Sequence, residues 1–153
     1  MVIAVDFDGT IVSQERPYDD LTTPLEFLPE AKESLRALKR AGHVILLYSA
    51  RASRALLFDP SLDPLVRANK RQVNYEKWKA SRRLHWARYE QMVDFVKEHL
   101  KEEIDAIDDG MQGKPQAALF IDDRAIRYGF TVGGQGWQSI VDKYGTAEEK
   151  DNE

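Results

Sequence analysis

Short apolar runs alternate along this chain with stretches of helical period, and their order is strand, helix, strand. The first strand is read over residues 2–6, where an unbroken apolar run follows the initial methionine. Ala31, Leu35, Leu38 and Ala41 then recur at helical spacing behind Pro29, a good first residue of a helix, and Gly42 supplies the stop. Residues 44–48 are continuously apolar, the pattern of a strand covered on both faces in a parallel sheet. A second helical stripe of Tyr89, Met92, Val93, Val96 and Leu100 runs through residues 84–100. Residues 104–107 and, more strongly, 118–121 read as further strands. Trp137, Ile140 and Val141 mark a short last helix behind a loop carrying Gly133, Gly134 and Gly136.

Strand-helix-strand order implies right-handed βαβ crossovers. The expected fold is therefore α/β, a three-layer sandwich with a mostly parallel, Rossmann-like sheet. Residues 11–28, with Pro17 and Pro24, read as a loop and not as a lid domain. Residues 52–83 break the pattern: Pro60 and Pro64 interrupt the start, and the rest is basic, so a short helical insertion is predicted there. The domain is expected to span 1–147, with 148–153 a charged, disordered tail.

Composition narrows the classes. The 153 residues suffice for one domain with a real core, and 42% hydrophobic with 31% charged residues is ordinary for a globular protein. The absence of cysteine excludes disulfides, thiolate zinc sites and cysteine nucleophiles. No apolar run reaches the length of a membrane span, and the first residues enter a strand instead of a signal peptide, so no membrane partner and a cytoplasmic location are expected. The net charge of −4 conceals an asymmetry. Residues 51–88 carry ten Lys/Arg against Asp59, Asp63 and Glu76, which is +7 and leaves −11 for the remainder. Such a segment is either a solvated helical surface or an electrostatic collar for an anionic substrate.

The chemistry is concentrated at strand ends. Asp6 and Asp8 follow the first apolar run, and carboxylates there are costly unless a metal or phosphate chemistry uses them. Two residues apart in an extended segment they share one face, and Gly9 can take positive φ and turn the chain just after the pair, at the carboxyl end of the strand. Asp122 and Asp123 follow the 118–121 run in the same way. Two strand-end acid pairs point to a divalent cation held by oxygen, with Mg²⁺ the default.

Four segments in this order resemble the motifs of the haloacid dehalogenase-like (HAD) hydrolases: Asp6-Phe7-Asp8-Gly9-Thr10, Ser49 in Leu47-Tyr48-Ser49-Ala50-Arg51, Lys114 in Gly113-Lys114-Pro115, and Ile121-Asp122-Asp123-Arg124. The resemblance covers nearly the whole chain except residues 52–83, and matches a small phosphatase without a full cap domain. It implies Mg²⁺-dependent hydrolysis of a phosphomonoester: Asp6 the nucleophile, Asp8 the general acid and base, Ser49 and Lys114 binding the phosphoryl oxygens. Asp6, Asp122 or Asp123, and the backbone carbonyl of Asp8 would hold the metal. An acid at the position of Asp8 is what HAD phosphatases have and dehalogenases lack. Lys70, Lys77 and Lys79 rival Lys114, whereas Arg51 adjoins Ser49 and is placed to contact substrate or a metal-bound acid.

Plainer readings stand beside these. Ser49 can cap a helix, Asp108-Asp109-Gly110 reads as a turn, and His43, His85 and His99 lack metal-site spacing. The expected partner is a phosphorylated small molecule. Tyr75, Trp78, Trp86 and Tyr89 among Lys77, Lys79, Arg82 and Arg83 leave nucleic-acid end processing as an alternative. A non-catalytic binding protein is the other.

Overall fold

Val2–Val5 forms β1, and its neighbours explain its burial: β2 (Val44–Leu47) pairs on one side and β4 (Leu119–Ile121) on the other. β3 (Ala106–Ile107) pairs with β2, so among the described residues the sheet is four-stranded, all parallel and ordered β3-β2-β1-β4. This computed structural model describes residues 1–125, 127, 129 and 136–145. They fall into two units, Met1–Asp123 and Arg124–Glu153. Within the second, Trp137–Tyr144 is a helix, α5, with Gln138 Nε2 donating to Asp142 Oδ1 at 2.7 Å one turn on. The 148–153 tail, Gly133 and Gly134 lie outside the described residues.

The fold is α/β and Rossmann-like. From β1 the chain moves outward through β2 to β3, then returns to place β4 on the opposite side of β1. The strand order reverses between β1 and β4, and the crevice above such a reversal is where open α/β sheets bind ligands.

The helices differ from the sequence reading at their ends. α1 runs Ala31–Arg40, without Pro29, because Glu30 adopts a left-handed backbone (φ 64°) that no helix can pass through. Gly42, at φ 86°, closes the turn after it. The long helix α4 spans Tyr75–His99, nine residues more at its start than the 84–100 stripe suggests. Asn74 caps it by accepting from the Lys77 backbone N–H at 3.0 Å. Between β2 and α4 lie four short turns of helix: Ala50–Ala52, α2 (Arg54–Leu57), Pro60–Leu62 and α3 (Pro64–Arg67). The prolines begin two of these turns instead of breaking them, each behind an aspartate cap, Asp59 and Asp63.

The core is Ile3, Val5, Phe7, Ile45, Leu47, Met92 and Leu100 with their neighbours, all nearly inaccessible. Phe95 of α4 meets Phe7 edge-on, centroids 5.8 Å apart, and lies 4.9 Å from Phe27. β2 is not covered along its whole length. Val44 stays exposed because β3 pairs only with Leu46 and Leu47, farther along the strand. Asp105 fixes that edge, accepting from Lys39 Nζ at 2.7 Å and from the Ile45 N–H at 2.7 Å.

Candidate metal centre and its surroundings

Asp6 continues the pairing of β1 by one residue, donating its backbone N–H to Ile121 O at 2.9 Å. That bond holds Asp6 beside the end of β4, where Asp122 and Asp123 follow. The chain then turns sharply: Ile11 N–H reaches Phe7 O at 2.9 Å, Gly9 N–H reaches Val12 O at 2.8 Å, and Gly9 takes φ 80°. Phe7 goes into the core while its acidic neighbours stay at the crevice.

Asp6, Asp122 and Asp123 converge there, each offering a carboxylate oxygen within 4.8 Å of the others. Burial, aided by the charges of Asp122 and Asp123 and the hydrogen bond with Asp123, pushes the Asp6 carboxyl up to about 7 against the pull of the Phe7 backbone N–H. Crowded carboxylates of this kind accept a cation readily, since it removes the repulsion. An all-oxygen donor set suits Mg²⁺ or Ca²⁺ and not a soft metal. Thr10 Oγ1, in the same turn, is buried without a hydrogen-bond partner among the described residues. The residues thus fit a hard divalent cation.

Two contacts around the cluster had no place in the motif reading. Tyr48 donates its hydroxyl to Asp122 Oδ2, and burial together with that bond raises the phenol above its ordinary value. Gln14 Nε2 donates to Asp123 Oδ2 at 3.3 Å. Tyr48 stands directly before Ser49 at a strand end, a visible position for a polar aromatic group. Gln14 lies in a loop with no pattern to single it out.

Asp8 is placed differently from Asp6. Its two carboxylate oxygens are taken by Arg51, Nε to Oδ2 at 2.8 Å and Nη2 to Oδ1 at 2.7 Å. Arg51 is buried, and its Nη1 donates to Arg88 O and Gln91 Oε1, both at 2.9 Å. Every guanidinium nitrogen therefore has a protein partner. Ser49 caps the Ala50–Ala52 turn, its Oγ accepting from the Arg51 N–H at 3.1 Å, so the serine and arginine form one unit under Asp8.

Lys114 is exposed and lies over the Phe120 ring, its Nζ 4.8 Å from the centroid. Phe120 meets Tyr48 edge-on at 5.7 Å, and Tyr48 holds Asp122, so a chain of contacts joins the lysine to the cluster. In the basic segment Lys70, Lys77 and Lys79 are exposed, as are Arg82 and Arg83. Asp109 accepts from the Met111 N–H at 2.9 Å in a local turn. Among the described residues no helix is long and apolar enough to cross a membrane.

No family model matches the chain, and no curated protein does. A solved structure described as a conserved protein coded by a locus of Bacteroides thetaiotaomicron is similar over 96% of this chain and 93% of that one. The identity is 24% and the TM-score 0.44.

Proposed function

We propose that this chain is a Mg²⁺-dependent phosphomonoesterase of the HAD type that works through an aspartyl-phosphate on Asp6. The observation that carries the reading is the convergence of Asp6, Asp122 and Asp123 within 4.8 Å at the reversal of strand order. Asp6, Asp122 and Asp123 would hold the cation. When bound it would offset the charge of these acids and of the phosphoryl group, leaving Asp6 ionised for attack.

Asp6 attacks phosphorus in line, the bond to the ester oxygen breaks, and Asp8 protonates the departing oxygen. Water then attacks the acyl phosphate, Asp8 takes its proton, and the phosphorus–Asp6 bond breaks to release inorganic phosphate. Both oxygens of Asp8 are held by Arg51, so each proton transfer requires one of those bonds to open. Arg51, with its donors used within the protein, acts in this reading by positioning Asp8 and not by gripping phosphate. Ser49, through its bond to the Arg51 N–H, supports the same unit, and Lys114, joined to the cluster through Phe120 and Tyr48, would supply positive charge toward the phosphoryl group.

The test is turnover of an aryl phosphate and a panel of nucleotides and sugar phosphates with Mg²⁺. Asp6→Asn should retain the fold and lose turnover by at least a thousandfold, since the amide is nearly isosteric but a poor nucleophile. Near-normal turnover by folded Asp6→Asn removes Asp6 as nucleophile.

A further inference from the structure

A groove of about 580 Å³ lies between the 55–74 segment and the first turns of α4, within the size range of small-molecule sites. It adjoins a small cavity of about 90 Å³ lined by Asp8, Arg51 and Arg88. Tyr18, Leu56 and His85 line both, so the groove opens toward the acid that the proposed reaction uses. The junction is fixed. Tyr18 Oη and His85 Nδ1 are 2.8 Å apart, and Arg88 stacks on the Tyr18 ring at 3.8 Å while Nη1 donates to the Tyr18 carbonyl at 2.8 Å.

The wall of this groove combines apolar surface with neutral hydrogen-bonding groups and two cations, Lys77 and Arg71. Leu56, Val66, Val73 and Leu84 contribute the apolar part, and Trp78 the aromatic part. Arg82 covers one face of the Trp78 ring at 5.5 Å and is not part of the groove wall. The indole N–H is taken by Leu56 O at 2.9 Å. The groove therefore meets carbon surface of the indole. Gln72 makes no hydrogen bond among the described residues, and the Asn74 amide nitrogen is likewise unused because only its Oδ1 serves the helix cap. The acid in the wall, Asp63, is already tied to Arg71 and to the Leu65 N–H.

We infer that this groove binds the nucleoside part of a nucleoside monophosphate, with the phosphate directed toward Asp8 and the acid cluster. This rests on the phosphomonoesterase reading for the phosphate end, and on the groove alone for the nucleoside. A planar base stacks on indole and apolar side chains and shows both donors and acceptors at its edge. Gln72 can meet either kind, and Asn74 adds donors. A sugar would ask for more polar partners, and an acyl chain would leave the two amides unpaired.

The experiment is calorimetric titration of the full chain, in chelator, with adenosine, guanosine, cytidine, uridine and ribose 5-phosphate. At least one nucleoside should bind below millimolar concentration. Val66→Trp, which fills the groove from its wall, should weaken that nucleoside at least tenfold, and Gln72→Ala, an exposed change that spares the fold, several-fold. Neither should alter turnover of an aryl phosphate. Failure of every nucleoside to bind, or binding unchanged in both variants, overturns the inference. Aryl phosphate turnover without nucleoside binding removes the groove proposal alone, whereas nucleoside binding without any phosphatase activity removes the catalytic reading alone.

Discussion

In the proposed reaction Asp6 carries two opposed demands, a nucleophile's exposure and a buried carboxylate's preference for a proton. Without a cation its folded value of about 7 stands well above the ordinary 3.8. A raised acid stabilises the fold in its protonated form. That contribution is complete below about pH 4 and is lost as the pH rises through about 7. The metal-free chain should therefore melt at progressively lower temperature from pH 5 to pH 8. Asp6→Asn should flatten that slope and exceed the wild type at pH 8, and calorimetry in chelator reads both. Equal slopes in the two proteins would show that Asp6 is ionised throughout. Gly9 has a more local constraint. A Cβ added there would lie 2.5 Å from Asp123 Oδ2 and 2.7 Å from Gln14 Nε2, on a backbone at φ 80°. Left-handed backbone costs a side chain about 1–2 kcal/mol, and the clash displaces a carboxylate of the cluster. Gly9→Ala should lower both the melting temperature and Mg²⁺ affinity, the latter on the order of tenfold by titration. Unchanged affinity would mean that Asp123 is dispensable for the ion.

At the level of elements, the parts that short-range pattern governs were legible. Apolar runs found the four strands of the described residues to within two residues, because a buried parallel strand has few alternatives once its neighbours are apolar. That the 75–83 stretch is helical was legible in outline, but its continuity with the 84–100 stripe was not, since its solvent-facing residues Lys77, Lys79, Arg82 and Arg83 mask the stripe. The cap at Asn74, and the lack of any Gly or Pro from 65 to 109, were the available signals. The Asp59-Pro60 and Asp63-Pro64 pairs were likewise helix starts in disguise. The acid cluster was visible because each member follows an apolar run. The Arg51–Asp8 pair was hidden, as it joins residues 43 apart through a turn that only the fold brings close. The loop before β4 presents Lys114, and its perch on Phe120 is an element-scale prediction. Lys114→Ala should cost on the order of a hundredfold in kcat, about 3 kcal/mol, if its ammonium serves the phosphoryl group. Alanine at Lys77 or Lys79 should change apparent affinity and its salt dependence instead. An equal loss of kcat at all three would place Lys114 with the general positive field.

On the scale of the whole first unit, the cluster couples strands distant in sequence. Asp6 closes β1 near the amino terminus, and Asp122 and Asp123 lie more than a hundred residues later, across the β1–β4 pairing. A cation that bridges them ties together the two strands between which the sheet reverses, so binding must show as stability of the fold and not only as activity. A ligand at a hundred times its Kd contributes about 2.7 kcal/mol, which for a chain of this size is roughly 5–10 °C in melting temperature. Mg²⁺ should raise the melting temperature by that order, and EDTA should return it and abolish turnover. Ca²⁺ accepts the same oxygens with looser geometry, so it should stabilise the fold while supporting little turnover. Asp122→Asn should shrink the Mg²⁺-dependent rise and also free the Tyr48 hydroxyl from a charged partner. Full turnover in chelator with no thermal response to either ion would remove the metal from the proposal. The repulsion among the three converging carboxylates would then have to be relieved by a proton on Asp6 and by the hydrogen bonds from Tyr48 and Gln14.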